Sequence, residues 1–171
     1  MNEGDKMPHR TPDVLVVPAE TAEIVDLPHG GAFHLLADAV DTGGALGANR
    51  LALGAGADGA APHYHARSTE LFYVLAGTAE FSLDGTSTTA RAGSLVVVPP
   101  GVPHAFGAAP GSPVDLLIVL TPGVQRFEYF RQLGRIQHGR ADFDSLLPEQ
   151  QRYDVHFLSA TTWRQAPSAP A

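Results

Sequence analysis

The chain has 171 residues, 44% of them hydrophobic, and a formal net charge of −7 with histidine neutral. This length suits one ordinary domain with its own core, and an acidic chain without a basic stripe is a poor partner for nucleic acid or an anionic membrane. Because the sequence has no cysteine, disulfides, thiolate metal sites and cysteine nucleophiles are excluded.

Both ends of the chain have the composition of flexible tails. Residues 1–12 are polar, without the apolar stretch of a signal peptide, and residues 165–171 are rich in Pro and Ala. No run reaches the length of about 18 apolar residues that a membrane-spanning helix requires. We therefore expect a cytoplasmic protein that contacts neither membrane nor nucleic acid.

Short apolar runs separated by turn residues predict a series of strands. In chain order the runs are DVLVVP, AEIVDL, AFHLLA, NRLALGAG, ELFYVLAG, TAEFSL, SLVVVPPG, VPHAFGA and VDLLIVLTP. In TAEFSL the apolar residues alternate with polar ones, and the following Asp84-Gly85 predicts a tight hairpin turn. About ten strands without intervening helices are typical of an all-β sandwich or barrel.

The pattern becomes helical after Pro122. In VQRFEYFRQLGR the apolar residues recur every three positions, which predicts an amphipathic helix with Gly134 as its C-terminal stop. A second short helix is predicted from about Pro148, since proline is well tolerated in a first helical turn. We expect residues 13–122 to form the β-domain and residues 123–164 to form a helical extension packed on it.

Four side chains stand at the spacing of a metal site. His63 and His65 would leave the same face of an extended segment, Glu70 follows after a short turn, and His104 lies beyond the turn Pro99-Pro100-Gly101. Three neutral imidazoles and one carboxylate suit one divalent transition metal: iron, nickel, manganese, cobalt, copper or zinc. Burying these groups without a metal would carry a large desolvation cost.

These residues also resemble the two sequence motifs of the cupin superfamily. From His63 to Gly77 the chain has two histidines one residue apart, a glutamate after four residues and a glycine after six more; Gly93 to His104 resembles the second motif. Ala57 and Ala108 depart from the glycine and asparagine of the family pattern. The resemblance to single-domain bacterial cupins implies a cupin-type antiparallel β-barrel (double-stranded β-helix or jelly roll), metal binding by His63, His65, Glu70 and His104, and a homodimer.

The inward-facing residues suggest an apolar, partly aromatic lumen for a small apolar or aromatic molecule. The expected pocket residues are Phe72, Val74, Phe81, Leu83 and Phe106, which could equally well only fill the barrel. A phosphosugar isomerase is disfavoured because the strands offer only scattered cations such as Arg50 and Arg91.

The C-terminal extension resembles that of bacterial flavonol dioxygenases of the quercetin 2,3-dioxygenase type. This implies a dioxygenase that uses dioxygen on a flavonol-like or other enolic aromatic substrate, with Glu70 both a metal ligand and the catalytic base. Burial is expected to raise the pKa of Glu70 toward the working range. The alternatives are a polyketide cyclase or other non-oxygenase cupin enzyme of secondary metabolism, and a non-catalytic cupin that binds metal or a small ligand.

Overall fold

The computed structural model describes residues 14–159 and 163–164, so the two expected tails, 1–12 and 165–171, lie outside the described residues. All the strands pair antiparallel, which confirms the all-β expectation. The strands are β1 (Glu23–Asp26), β2 (Ala32–Ala37), β3 (Gly47–Leu53), β4 (Asp58–Tyr64), β5 (Thr69–Leu83), β6 (Thr86–Arg91), β7 (Leu95–Val98), β8 (His104–Ala108), β9 (Val114–Thr121) and β10 (His156–Phe157).

The long strand β5 belongs to both sheets of the barrel. Its first part pairs with β9 and β7, and its second part pairs with β8 and β6. One sheet thus continues through β9, β3, β2 and β1, and the other through β8, β4 and β10. Gly77 lies where β5 changes sheets, with φ +74°, and a Cβ there would overlap the carbonyl oxygen of Pro113. Only glycine fits this crossing without strain.

The core lies between the two sheets. Along β9 every second residue is buried, as expected for a strand with one face toward the core. The strands contribute fully buried side chains from both sheets, among them Leu51, Phe72, Val74, Phe81 and Leu116. The Asp84-Gly85 turn has positive φ at both residues, in agreement with the predicted hairpin.

The predicted strand DVLVVP is wrong over its described part. Residues 14–18 have no regular structure and are followed by a short 3-10 helix, Ala19–Thr21. Val14 and Val16 are largely exposed, and residues 14–18 pair with no strand of the described chain, so they lack the neighbouring backbone that a strand requires. Apolar composition alone therefore did not make a strand here.

The C-terminal extension packs on the barrel. Helix α1 (Phe127–Gln137) is followed by a 3-10 helix (Phe143–Glu149) and by α2 (Gln150–Tyr153). The ring of Phe130 lies 4.8 Å from that of Phe33, and Tyr129, Leu146, Tyr153 and Val155 join the same core. None of the helices in the described ranges is long and apolar enough to span a membrane.

Gly134 does not end α1, contrary to the prediction. The helix continues to Gln137, and a Cβ at Gly134 would lie 2.5 Å from Cγ1 of Val25. The glycine therefore lets the helix lie close against β1. The sequence does not distinguish a glycine that terminates a helix from a glycine that permits close packing near the helix end.

Candidate metal centre

Three neighbouring strands bring the four expected ligands together. His63 is on β4, directly opposite His104 at the start of β8, and Glu70 is the second residue of β5. His65 lies one residue beyond β4, in the four-residue connection 65–68 to β5. All four side chains are buried, and one ligand atom from each lies within 4.8 Å of the others. The structure thus places the predicted quartet as one cluster.

Backbone carbonyl groups orient the three imidazole rings. Nδ1 of His63 lies 2.8 Å from the carbonyl oxygen of Ala61, Nδ1 of His104 lies 2.9 Å from that of Val102, and Nδ1 of His65 contacts that of Asp154. A carbonyl oxygen accepts only, so each Nδ1 carries the proton and donates it. Nε2 is then the ring nitrogen left to bind a cation, which is the arrangement usual for metal-binding histidines.

Glu70 faces these nitrogens. Its Oε2 lies 3.0 Å from Nε2 of His65 and 2.9 Å from Nε2 of His104. Two unprotonated nitrogens against a carboxylate oxygen would repel one another, so a cation is needed between them, either a proton or a metal ion. The donor set, three imidazole nitrogens and one carboxylate, therefore fits a divalent transition metal.

The pKa of Glu70 is shifted in the opposite direction to that expected. Burial acts to raise this pKa, but the electrostatic interaction with His65 and the hydrogen bonds with His104 and His65 outweigh it and hold the pKa well below its usual range. Burial and the neighbouring His104 lower the pKa of His63, which keeps that imidazole neutral. Glu70 is consequently an ionised carboxylate, the form that binds a metal, and its low pKa makes it a weak general base.

Asp154 supports the loop that carries His65, and sequence reasoning missed it. Its carboxylate accepts hydrogen bonds from the backbone N–H groups of Ala66, Arg67 and Ser68, at 2.9, 3.1 and 3.1 Å. Burial acts to raise the pKa of Asp154, but these donors outweigh it and leave the pKa below its ordinary value. One residue of the extension therefore holds both a ligand ring and the ligand loop.

A narrow cavity adjoins Glu70 on the side of α1. The space open to the centre of a water molecule is about 10 Å³, near the minimum for one water. The cavity is lined by apolar residues of β2, β3, β9 and α1, together with the polar residues Asp38, Asn49, Glu70 and Arg126. Arg126 was not expected here, because the sequence around an arginine that precedes a predicted helix does not indicate that its side chain approaches the distant Glu70.

The five expected pocket residues occupy a different part of the interior. Phe72, Phe81 and Phe106 pack against one another with ring centroids 4.8 to 6.0 Å apart. Phe72 also lies edge-on to His104, at 6.2 Å, so this aromatic group borders the metal centre. Val74 is fully buried and Leu83 partly buried. None of the five lines the cavity beside Glu70, and their contact with a ligand stays a prediction.

Comparisons with solved structures identify the fold. A PAC13 variant from Streptomyces with uridine is 18% identical, with a TM-score of 0.54 over 67% of this chain and 86% of its own. The polyketide cyclase RemF from Streptomyces resistomycificus is 20% identical, with a TM-score of 0.54 over 64% and 80% of the two chains. A sugar phosphate isomerase from a cupin superfamily, from Silicibacter pomeroyi, is 22% identical, with a TM-score of 0.53 over 63% and 75%.

The curated proteins contain no match to this sequence. Residues 49–120, however, match the family model described as the cupin domain, and this range includes all four residues of the buried cluster. Together with the antiparallel barrel and the similar solved structures, this match, which spans less than half of the chain, supports membership in the cupin superfamily.

Proposed function

We propose that this protein is a metal-dependent enzyme that acts on a small molecule, with one divalent transition metal held by His63, His65, Glu70 and His104. The observation that carries the proposal is the convergence of four buried ligand atoms within 4.8 Å. Since each imidazole has its Nδ1 turned to a backbone carbonyl, the three rings are oriented before any ligand arrives. Holding three buried imidazole rings in fixed orientations costs free energy, so the fixed orientations indicate a function for their Nε2 atoms.

The first candidate reaction is dioxygenation of a flavonol-like or other enolic aromatic substrate. The aromatic group of Phe72, Phe81 and Phe106 beside His104 supports it, because flat rings pack well against such side chains. A bound metal would supply Lewis acidity toward an enolic oxygen and, if redox-active, electrons for dioxygen chemistry. Glu70 acts as a ligand, and its low pKa makes it a weak base for the enol proton.

The second candidate is a non-oxygenase reaction, such as cyclisation or elimination, at the same metal. These reactions can proceed by metal polarisation of the substrate without oxidation, and the four ligands suit them as well as they suit dioxygenation. Among the similar structures, RemF is described as a polyketide cyclase and Pac13 as a nucleoside dehydratase, which makes this class of chemistry accessible to the fold. A cupin that only binds a metal or a small ligand is the remaining alternative.

The metal is tested first. Elemental analysis of the purified protein should show about one transition metal per chain, and His104→Ala and Glu70→Gln should each lose most of it because each removes one of four ligands. His29→Asn is the matched control: this exposed histidine has φ 60°, a conformation that asparagine tolerates. Unchanged metal content in both ligand variants would show that the site is wrong.

The reaction is tested second, with metal-loaded protein and a panel of flavonols and other enolic aromatics, in air and under nitrogen. Oxygen uptake that depends on the flavonol supports the dioxygenase. Conversion of a substrate to the same extent under nitrogen supports the non-oxygenase enzyme. Binding without conversion in either atmosphere, across the whole panel, contradicts an enzymatic role for these substrates and favours the binding protein.

A further inference from the structure

We propose that the cavity beside Glu70 binds a carboxylate of the substrate through Arg126 and Asn49, so that the substrate is a small acid rather than a neutral molecule. This inference rests on the proposed function, because it takes the metal as the site of the substrate's reacting end. It adds a recognition site for a second, anionic end. The residues that carry it lie on β3 and at the start of α1, outside the metal-binding quartet.

Arg126 is a buried cation without a close partner for its charge. It is 8% exposed, and its nearest carboxylate oxygen in the described chain, Oε1 of Glu70, lies 3.9 Å from Nη1. That separation is too long for a hydrogen bond. Within the described residues, its buried Nε has no hydrogen-bond partner. Buried guanidinium groups normally bind a carboxylate or phosphate through paired N–H donors, and this one has donors to spare.

The position of Arg126 is set by its neighbours. The backbone N–H groups of Arg126 and Phe127 donate to the carboxylate of Asp38, at 2.8 and 3.2 Å. The guanidinium lies over the rings of Tyr129 and Phe130, at 4.9 and 5.3 Å. Because backbone and side chain are both held, the free N–H groups keep their place at the cavity, as a preorganised binding group requires.

Asn49 supplies a second donor on the inner face of β3. The next inward residues on that strand, Leu51 and Leu53, are apolar, so the amide of Asn49 interrupts a hydrophobic stripe. Asn49 is 5% exposed, and among the described residues nothing accepts a hydrogen bond from its Nδ2. An unsatisfied buried donor is destabilising, which makes a ligand acceptor at this position favourable.

The charges favour an anion. Arg126 has Glu70 as its nearest counter-charge, and a divalent metal bound to the quartet would take up the charge of Glu70. The metal and Arg126 would then give the cavity more positive charge than the carboxylate of Asp38 offsets, in surroundings of low polarity where a counter-anion binds well. Since the space is near the minimum for one water, an oxygen of a carboxylate can enter it and a second ring cannot.

The test compares salicylate with salicylamide, which share a ring and a phenolic oxygen but differ in charge, by titration calorimetry on zinc-loaded full-length protein. Wild type should bind salicylate at least about 10-fold more tightly, the effect of one charge-assisted hydrogen bond. Arg126→Gln and Asn49→Ala should each reduce that ratio, Arg126→Gln to about one. Arg131→Gln should keep it, since Arg131 is on the exposed face of the same helix and pairs with Glu23 and Glu128.

The zinc content of each variant separates this inference from the proposed function. If wild type binds zinc but does not prefer salicylate, or if the preference survives both substitutions, the carboxylate site is refuted while the metal site stands. If Arg126→Gln changes zinc affinity but leaves the ratio intact, Arg126 serves Glu70 alone and the inference is also refuted. If wild type binds no zinc or other transition metal, the proposed function itself has failed.

Discussion

Replacement of Asp154 should lower both stability and metal affinity, although Asp154 is almost ninety residues from His65 in the sequence. Asp154 is 1% exposed, and Asp154→Ala would leave the backbone N–H groups of Ala66, Arg67 and Ser68 without their acceptor. A hydrogen bond to a charged group contributes about 1.5–3 kcal/mol, and part of that loss is recovered if water reaches the loop. We expect the free energy of unfolding to fall by about 3 kcal/mol.

In a chain of this size such a loss lowers Tm by about 6–12 °C. Because the same loop carries His65 and leads into Glu70, metal affinity should fall by about 10- to 100-fold, as is usual when the group behind a metal ligand is removed. Differential scanning calorimetry and competition with a metal-binding dye measure the two effects. Asp154→Asn, which keeps one acceptor oxygen, should lie between wild type and Asp154→Ala.

Asp144→Ala is the matched control, since Asp144 is an exposed aspartate of the same extension. It should leave Tm and metal affinity at wild-type values. The reasoning would be refuted if Asp154→Ala retained the wild-type metal affinity, even with a lowered Tm, because the support of the ligand loop by Asp154 would then be without effect on the metal.

Three further predictions follow from the barrel. Removal of metal with a chelator should lower Tm by several degrees, and restoring the metal should reverse the change, since the folded state binds metal more tightly than the unfolded chain. Gly77→Ala should destabilise the fold by more than about 3 kcal/mol in urea unfolding, because its Cβ would overlap the Pro113 carbonyl and its φ is positive. Leu95 and Val97, exposed and apolar on β7, should form part of a homodimer interface, so that Leu95→Glu yields monomers in light scattering.

Each of these has an outcome that contradicts it. Equal Tm values with and without the chelator would mean that no metal stabilises the fold. A Gly77→Ala variant as stable as Gly85→Ala, whose Cβ would meet nothing within 4 Å despite a similar φ, would show that the overlap is relieved at little cost. A wild-type monomer would contradict the homodimer itself, and a Leu95→Glu variant that remains dimeric would place the interface on another face.

The sequence alone predicted the barrel and the four candidate metal ligands because both depend on short-range patterns. Strand periodicity put His63 and His65 on one side, and the turn before β5 is too short to carry Glu70 far from them. The prediction of His104 depended on the second motif. Its position opposite His63 is set by the pairing of β4 with β8, which the sequence does not show. The predictions were wrong where one local pattern is compatible with two structures. The glycine at 134 permits close packing and does not end the helix, and the apolar residues 14–18 do not form a strand.

Tertiary structure alone decided what surrounds the quartet. Asp154 and Arg126 reach the site because the extension folds back onto the barrel, and the direction of that docking depends on packing between distant residues. The pKa of Glu70 was likewise beyond the sequence, since burial alone would have raised it and only the exact approach of two imidazoles reversed the sign. Short-range spacing therefore determined which residues can bind a metal, and long-range packing determined their charge, their support and the cavity beside them.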